Sequence, residues 1–415
     1  MESSASITHA KDLLFLLGII LATGMLAGFV ARLLKVPDVV LFLLAGMALG
    51  VAGLGVIDVK VDSTLNQLIL IFGSCYILFD GGASVRVSVL KAVWPTLLTI
   101  STIGVLISAF VTAYTAQYLL GLPFIFALLL GAVIASTDPA TLVPIFKQVK
   151  IRAKVAQTVM SESAFNDAMA AILTFTVLGI AMGNAGDEFS ISASLLNLLK
   201  QSLFGIAGGA VLGYLAALFI AHEKYSFLAE YAPVVTIMSV AASYLGVDNL
   251  HASGFMAVFV FGLMLGNKEL FGFKMEAQEE EKLEDFILTT SLIMRIFIFV
   301  LLGSQVNFAL LKQYLWQSLG VVGVFMLIGR PLVVFTCALP NRRAKWTLQE
   351  LLFMCWTRET GVIPGALAGM LVALKVPHSD VIASVTFIAI LISILLQATT
   401  TKWLAAKLGD RKSVV

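Results

Sequence analysis

Long runs of apolar residues, separated by short polar stretches, make up most of this 415-residue sequence. Many runs reach about 20 residues without strict alternation, which is the length an α-helix needs to cross a bilayer. Strands of a membrane barrel are shorter and alternate, so the pattern favours helices. We place about thirteen runs at 13–31, 39–56, 65–80, 92–120, 123–146, 160–182, 195–220, 228–246, 251–266, 286–306, 315–339, 350–374 and 379–405. The sequence therefore predicts an all-α polytopic membrane protein with about thirteen transmembrane helices.

Composition supports an integral membrane protein and excludes several other classes. The chain is 59% hydrophobic and 13% charged, whereas an ordinary soluble domain carries about 25% charged residues. A net charge of +2 is too small to indicate a nucleic-acid partner. The three cysteines lie inside apolar runs without CxxC or Cys/His spacing. We expect no disulfide, no structural metal and no cofactor.

Basic residues divide unevenly between the connections that thirteen spans would create. Nineteen lysines and arginines fall in the connections on one side and four on the other. Because cytoplasmic loops collect such residues, the C-terminus is expected to be cytoplasmic and the N-terminus outside. We expect one transport unit over 1–415, without a soluble domain. The basic stretch at 149–157 is expected to lie as an amphipathic helix on the inner membrane surface.

Two of the predicted spans are interrupted. Thr137, Asp138 and Pro139 break the fifth span, and the sequence TRETGVIPG at 357–365 breaks the twelfth. Proline removes a backbone donor and disfavours helical geometry in the preceding residue. The broken spans are the fifth and the twelfth, seven positions apart in the span order, so the interrupted helices run antiparallel. Paired breaks of this kind are typical of inverted-repeat secondary transporters, and spans 1–6 repeated as 8–13 fit that pattern. Two independently kinked helices are the alternative.

The sixth span carries an unusual polar sequence, SESAFND, at 161–167. Helical spacing places Glu162 beneath Asn166 and Ser163 beneath Asp167. Asp167, Ser163, the Asn166 carbonyl oxygen and the unwound backbone near Thr137 offer the oxygen ligands that hard cations prefer. This pattern predicts a cation site at Asp167.

The second acidic residue of this stretch needs a different explanation. Glu162 would bring another buried charge, which requires a cationic partner. Arg330 in the eleventh span is the partner that we predict. Since a dehydrated carboxyl group favours its neutral form, a proton and a metal ion would compete for Asp167. With Asn166 neutral and Glu162 paired, we expect electroneutral exchange of one proton for one monovalent cation.

Three of these stretches resemble one family. TDPA at 137–140, ESAFND at 162–167 and LIGRPLVVF at 327–335 are similar to the monovalent cation/proton antiporters, specifically the NhaP/NHE-like branch of electroneutral sodium/proton exchangers. The resemblance implies an NhaA-like fold with two discontinuous crossing helices. It also implies a homodimer in which a core, including 65–182 and 286–405, moves as an elevator against a dimerisation domain.

The same resemblance implies roles for individual residues. Asp167 binds the transported ion, Asn166 and Asp138 support the site, and Glu162 pairs with Arg330. An Asn-Asp pair marks electroneutral members of the family.

Four further charged residues stay open at this point. Asp80, near the end of the third span, is either part of an ion funnel or a helix-end residue facing water. The second break reads TRETG, where the family usually has an arginine between glycines. Glu359 could therefore form an ion pair with the neighbouring Arg358, which leaves the contribution of Arg358 to the site open. Arg295, in the tenth span, has no predicted partner.

Several functions remain compatible with these residues. A site distinguishes Na⁺ and Li⁺ from K⁺ by its cavity size and its number of ligands. Because a sequence shows neither property, a K⁺/H⁺ antiporter is an alternative. A cation channel with a ring of carboxylates is a second, and an intramembrane hydrolase using Asp138 and Asp167 a third. We expect a transporter rather than an enzyme, in a bacterial or organellar inner or plasma membrane, contributing to pH and salt homeostasis.

Overall fold

The computed structural model describes residues 2–34, 36–91, 93–137, 152–183, 191–222 and 225–408. The regular elements in these ranges are helices, so the prediction of an all-α protein is confirmed. In chain order the α-helices are α1 Glu2–Leu34, α2 Asp38–Leu49, α3 Thr64–Ser84, α4 Val87–Leu90, α5 Trp94–Ser101, α6 Ile103–Leu120, α7 Phe124–Ile134, α8 Ala153–Ala181, α9 Ile191–Ala221, α10 Ala232–Asp248, α11 Gly254–Gly266, α12 Ala277–Ser304, α13 Phe308–Val324, α14 Arg330–Ala338, α15 Leu348–Trp356, α16 Val362–Ala373, α17 Ser379–Ser393 and α18 Thr399–Leu408.

Most of these helices are long and apolar enough to cross a membrane. Nine segments within the described ranges meet that standard, and four shorter apolar helices, α2, α7, α11 and α16, accompany them. Each of the thirteen predicted runs overlaps one of these segments. An integral membrane protein is therefore supported, while the number of crossings stays a prediction.

Two π-turns interrupt the helices in the C-terminal third of the chain. Phe325–Gly329 joins α13 to α14, and Ile394–Ala398 joins α17 to α18. A π-turn inserts an extra residue into a helix and is common near functional sites. The first turn ends directly before Arg330.

The helix that carries ESAFND begins earlier than the sequence suggested. Residues 149–151 of the basic stretch lie outside the described ranges, but from Ala153 onward the chain already belongs to α8. From Ala153 onward this stretch is therefore the start of α8 and not a helix of its own, while its position at the inner membrane surface stays a prediction. Buried Glu350 provides the physical reason: it accepts a 2.8 Å hydrogen bond from Lys154 Nζ, which fixes the first turn of α8 against α15.

Both predicted breaks fall where the described chain leaves helical geometry. Helix α7 ends at Ile134 and 135–137 are not helical, while α15 ends at Trp356 and α16 begins at Val362. Pro364 lies in the first turn of α16, where its missing N–H costs no hydrogen bond. The half-helices α7 and α16 pack against each other. The two breaks are therefore neighbours inside the protein.

Glycines allow two helix pairs to approach closely. Helix α2 packs on α12 through Gly46 and Gly303, and α3 packs on α11 through Gly82 and Gly262. A Cβ at any of these four positions would lie 2.2 Å from a backbone oxygen of the partner helix. Small residues at helix interfaces permit such contacts in membranes. Each pair therefore uses one glycine from each helix.

Candidate functional site

The first break lies directly against the acidic stripe of α8. The Ser136 hydroxyl donates a short hydrogen bond to an Asp167 carboxylate oxygen. Both residues are buried, with Ser136 fully enclosed and Asp167 8% exposed. A hydroxyl donor stabilises a carboxylate that has lost its water. The end of α7 is thus joined to the carboxylate that the sequence marked as the ion ligand.

Thr137 makes a set of reciprocal contacts with the same helix. Its backbone N–H donates to Asn166 Oδ1 at 3.2 Å, and Asn166 Nδ2 donates to the Thr137 hydroxyl at 2.9 Å. Ser163 donates to the Thr137 carbonyl oxygen at 2.6 Å. These bonds satisfy backbone groups that the interrupted helix leaves without a helical partner.

The oxygen atoms at this point form a mixed set. The Asp167 carboxylate contacts the Ser136 hydroxyl, and the Ser163 hydroxyl contacts the carbonyl oxygen of Thr137, the next residue of the break. Oxygen ligands of this kind suit hard cations such as alkali-metal ions. Among the described residues, no group of three or more His, Cys, Asp or Glu side chains could hold a metal ion. The arrangement can accept one positive charge, as a proton or as a cation.

Glu162 faces Arg330 on another side of α8. Arg330 Nη2 donates to Glu162 Oε2 at 2.9 Å, and Nη1 donates a short bond to Oε1. Both side chains are almost fully buried. Arg330 Nε also donates to the Met354 carbonyl oxygen at 2.9 Å. Because a bidentate pair fits the planar guanidinium, this pair joins α8 to α14 and to the half-helix before the second break.

Arg358 connects the second break to the first. Its Nη2 donates to the Ala135 carbonyl oxygen at 2.5 Å, and its guanidinium carbon lies 4.2 Å from the centre of the Phe325 ring. The carbonyl ends of a half-helix carry partial negative charge, which the guanidinium compensates at the end of α7. Glu359 is buried beside it, at 1% exposure.

The second break is held by a different helix. The Thr360 backbone N–H donates to Ser393 Oγ at 3.0 Å. Ser393 is the last residue of α17, and its hydroxyl faces the non-helical residues 357–361. The first break is therefore supported by α8 and the second by α17.

The N-terminal end of α8, which the charge pattern predicts to face the cytoplasm, makes a further ionic contact. Lys154 Nζ donates to Glu350 Oε2 and to the Ala344 carbonyl oxygen, and it lies 4.3 Å from the centre of the Trp346 ring. Glu350 also closes a capping box with Thr347 at the start of α15. The ion-site helix is thereby attached to the half-helix that leads into the second break.

The remaining sequence-predicted residues lie apart from these contacts or outside the described chain. Asp138 lies outside the described residues. Asp80 is half-buried in the last turns of α3, and Arg295 donates from Nε to the Ser291 carbonyl oxygen of its own helix at 3.4 Å.

Sequence reasoning missed Ser136, Ser393 and the carbonyl oxygens of Met354 and Ala135. Ser136 directly precedes the TDP sequence, and that adjacency to the break is the one signal that could have identified it.

The fold and the site together define a class: a polytopic helical membrane protein in which a buried carboxylate, Asp167, contacts the end of an interrupted helix. Residues 18–407 match the family model described as "Sodium/hydrogen exchanger, transmembrane". The chain therefore belongs to the sodium/hydrogen exchanger family.

Individual relatives cover nearly the whole chain. It is 32% identical to Na(+)/H(+) antiporter 1 of Methanocaldococcus jannaschii, over 95% of this chain and 96% of that protein. It is 28% identical to the K(+)/H(+) antiporter NhaP of Alkalimonas amylolytica, over 94% of this chain but 66% of the longer relative. The solved structure of the sodium proton antiporter MjNhaP1 from Methanocaldococcus jannaschii at pH 8 matches with a TM-score of 0.82 and 30% identity, over 96% of this chain and 99% of that chain.

Proposed function

We propose that this protein is a secondary antiporter that exchanges Na⁺ or Li⁺ for H⁺ across a membrane, with one cation exchanged for one proton at Asp167. The observation that carries the proposal is the contact of the buried Asp167 carboxylate with Ser136 at the end of an interrupted helix. Similarity to Na⁺/H⁺ antiporters over nearly the full chain supports the same function.

The charges around the first break support the stoichiometry. Glu162 and Arg330 form a neutral pair, and Asn166 carries no charge. Among the described side chains at this break, Asp167 is then the group that can change its charge. If the site crosses the membrane only when it holds a proton or a cation, exchange is obligatory. Because exchange of one proton for one monovalent cation moves no net charge, the membrane potential does not drive it.

Potassium is the second candidate cation. The relatives include proteins named K(+)/H(+) antiporters at 28–29% identity, beside the Na(+)/H(+) antiporters. Both ions accept oxygen ligands, and the choice depends on the size and rigidity of the cavity. Thr137, Ser163 and Asn166 would set that size, because their mutual hydrogen bonds fix the oxygen positions.

Helix packing supports an inverted repeat in the proposed thirteen-span architecture. If spans 1–6 correspond to spans 8–13, α2 corresponds to α11 and α3 to α12. The packing of α2 on α12 then corresponds to the packing of α11 on α3, and both pairs use reciprocal glycines. Antiparallel repeats of this type support alternating access around a site near the midplane.

The transport cycle we propose is an elevator movement. A core that includes 65–182 and 286–405 would move against the remaining helices, which would hold two copies of the chain together as a homodimer. The Glu162–Arg330 pair and the Lys154–Glu350 contact lie within this core and would keep α8 and α15 together during movement. The C-terminus would face the cytoplasm and the N-terminus the outside.

Exchange in everted membrane vesicles tests the function. A proton gradient is imposed across the vesicle membrane and followed with a pH-sensitive dye. For the unmodified chain, addition of Na⁺ is expected to dissipate this gradient. Asp167→Asn is expected to abolish the response, because the amide cannot carry a proton or neutralise a cation. Asp58→Asn, in an exposed loop, is the matched control and should retain exchange.

Three outcomes would change the assignment. A larger response to K⁺ than to Na⁺ would assign the potassium antiporter instead. Steady Na⁺ current without counterflow of protons would indicate a channel. Exchange that persists in Asp167→Asn would place the ion site elsewhere.

A further inference from the structure

A wide apolar groove opens on the protein surface, and none of Ser136, Thr137 and Asp167 is among the residues that line it. Its volume is about 480 Å³, which lies within the range of about 300–1,000 Å³ typical of ligand pockets. Residues from three helices and both π-turns line it, including Leu327, Leu352, Trp356, Leu396, Trp403 and Leu404. The lining is almost entirely hydrocarbon and aromatic. An acyl chain fits this chemistry, and a polar ligand does not.

The two π-turns give the groove its width. Leu327 comes from Phe325–Gly329 and Leu396 from Ile394–Ala398. A π-turn bulges the helix locally and displaces the side chains that follow. The floor includes Trp356, whose indole N–H donates to Thr400 Oγ1 at 2.8 Å. This hydrogen bond satisfies the polar edge of the ring and leaves its apolar face for a ligand.

A cation stands at the rim of the groove. Lys407 Nζ lies 5.0 Å from the centre of the Trp403 ring, and Trp403 is 61% exposed. In helix α18 the groove residues Thr400, Trp403 and Leu404 recur at helical spacing, and Lys407 falls on the same face one turn later. An exposed tryptophan beside a lysine is typical of the boundary between lipid tails and headgroups.

We propose that this groove binds an anionic phospholipid, with one acyl chain against Trp356 and the phosphate at Lys407. The charge distribution of the sequence predicts that α18 lies at the cytoplasmic side, where anionic lipids are concentrated. The groove also borders α15, whose C-terminal end leads into the second break. A bound lipid would therefore contact the half-helix that positions Arg358. The groove itself is separate from the proposed ion site.

Tryptophan quenching by brominated lipids tests the site directly. The chain has five tryptophans, and replacing Trp94, Trp316, Trp346 and Trp403 by phenylalanine leaves Trp356 as the reporter. The protein is reconstituted in phosphatidylcholine vesicles with rising fractions of brominated phosphatidylglycerol or, separately, brominated phosphatidylcholine. Half-maximal quenching is expected at about fivefold lower fraction of the anionic lipid, the preference that one basic residue near the surface supplies.

Two lysines of the same helix provide the matched comparison. Lys407→Gln is expected to remove the fivefold preference, because the headgroup loses its cation. Lys402 lies on the opposite face of α18 and is exposed, so Lys402→Gln should leave the preference unchanged. Native mass spectrometry of the unmodified chain should likewise show one phosphatidylglycerol retained over phosphatidylcholine at equal concentration.

Any of three results would overturn the proposal. Equal quenching by both lipids would mean ordinary contact with bulk lipid. An absence of quenching by either would mean that another segment or a second copy of the chain covers the groove. An equal effect of Lys402→Gln and Lys407→Gln would mean a general surface charge effect. None of these readouts involves ion exchange, so they are independent of the proposed antiport.

Discussion

The two breaks differ in how their polar groups are satisfied. At the first break, Ser136 and Thr137 form hydrogen bonds with Asp167, Asn166 and Ser163 of α8. At the second break, Thr360 Oγ1 and the Arg358 Nε and Nη1 atoms find no hydrogen-bond partner among the described residues. The polar groups of the first break are therefore hydrogen-bonded to α8, while the second break combines bonded groups with these three side-chain atoms that find no partner within the described chain.

The supporting helices show the same contrast. Helix α8 offers a carboxylate and an amide to the first break, whereas α17 offers Ser393 to the second. Gln397 lies one turn beyond Ser393 and is fully buried, and both of its amide atoms find no partner within the described chain. Buried polar atoms without partners are usually hydrated. We therefore expect cation selectivity to depend on the residues of the first break and not on those of the second.

The largest expected effect is on stability, from Glu162→Gln. The change leaves Arg330 buried without its counterion, and breaking a buried pair costs about 3–5 kcal/mol. Thermal unfolding in detergent should show a large fall in Tm. The double variant Glu162→Gln/Arg330→Gln should recover part of the loss, because no isolated charge remains. An unchanged Tm for the single variant would contradict the pairing.

Asn166→Asp is expected to change the stoichiometry. A second carboxylate beside Asp167 adds a group that can bind a proton, so the exchange cycle would carry net charge. The exchange rate of the unmodified chain should not depend on a membrane potential set with K⁺ and valinomycin. The exchange rate of the variant should change with that potential. If exchange by the variant is also independent of the membrane potential, the residue at position 166 does not determine the charge moved in each cycle.

Ser136→Ala should weaken cation binding without destroying the fold. The variant loses a hydroxyl that contacts Asp167, and a hydrogen bond to a charged group contributes about 1.5–3 kcal/mol. The KM for Na⁺ is expected to rise by about tenfold or more. Ser108→Ala is the control, since Ser108 is buried in α6 and its hydroxyl has no partner within the described chain. Equal KM values for both variants would remove Ser136 from the site.

Gln397→Leu is expected to have the smallest effect. An unsatisfied buried amide costs about 1–3 kcal/mol, so an apolar side chain of similar size should leave Tm unchanged or raise it. The KM for Na⁺ should stay the same, because the second break lies outside the ligand set. A tenfold rise in KM would show that Gln397 reaches the ion and would end the contrast between the breaks.

Much of this architecture could be predicted from local sequence properties. Apolar run length locates the helices, and Pro139, Gly361 and Pro364 locate the breaks, because proline and glycine act on the backbone at their own positions. The spacing of Glu162 and Asp167 on α8 follows from helical periodicity alone. The pairing of Glu162 with Arg330 could be predicted because a buried charge requires a partner and few candidates exist in the apolar spans.

Contacts that depend on how helices pack could not be predicted in this way. Ser136 reaches Asp167 only because α7 ends beside α8, and its place directly before the TDP sequence marks the break but not the side chain that it contacts. The Arg358 contact with Ala135 joins positions 223 residues apart. The early start of α8 depends on Glu350, which fixes Lys154 in a position that the charge pattern alone assigned to the membrane surface.

Proton release on cation binding tests the central claim most directly. Purified protein in weakly buffered detergent solution is mixed with Na⁺, and the released protons and bound ²²Na⁺ are counted per chain. Competition at Asp167 predicts one proton released for each Na⁺ bound, with both signals lost in Asp167→Asn. Sodium binding without proton release, or binding that survives this substitution, would contradict the account.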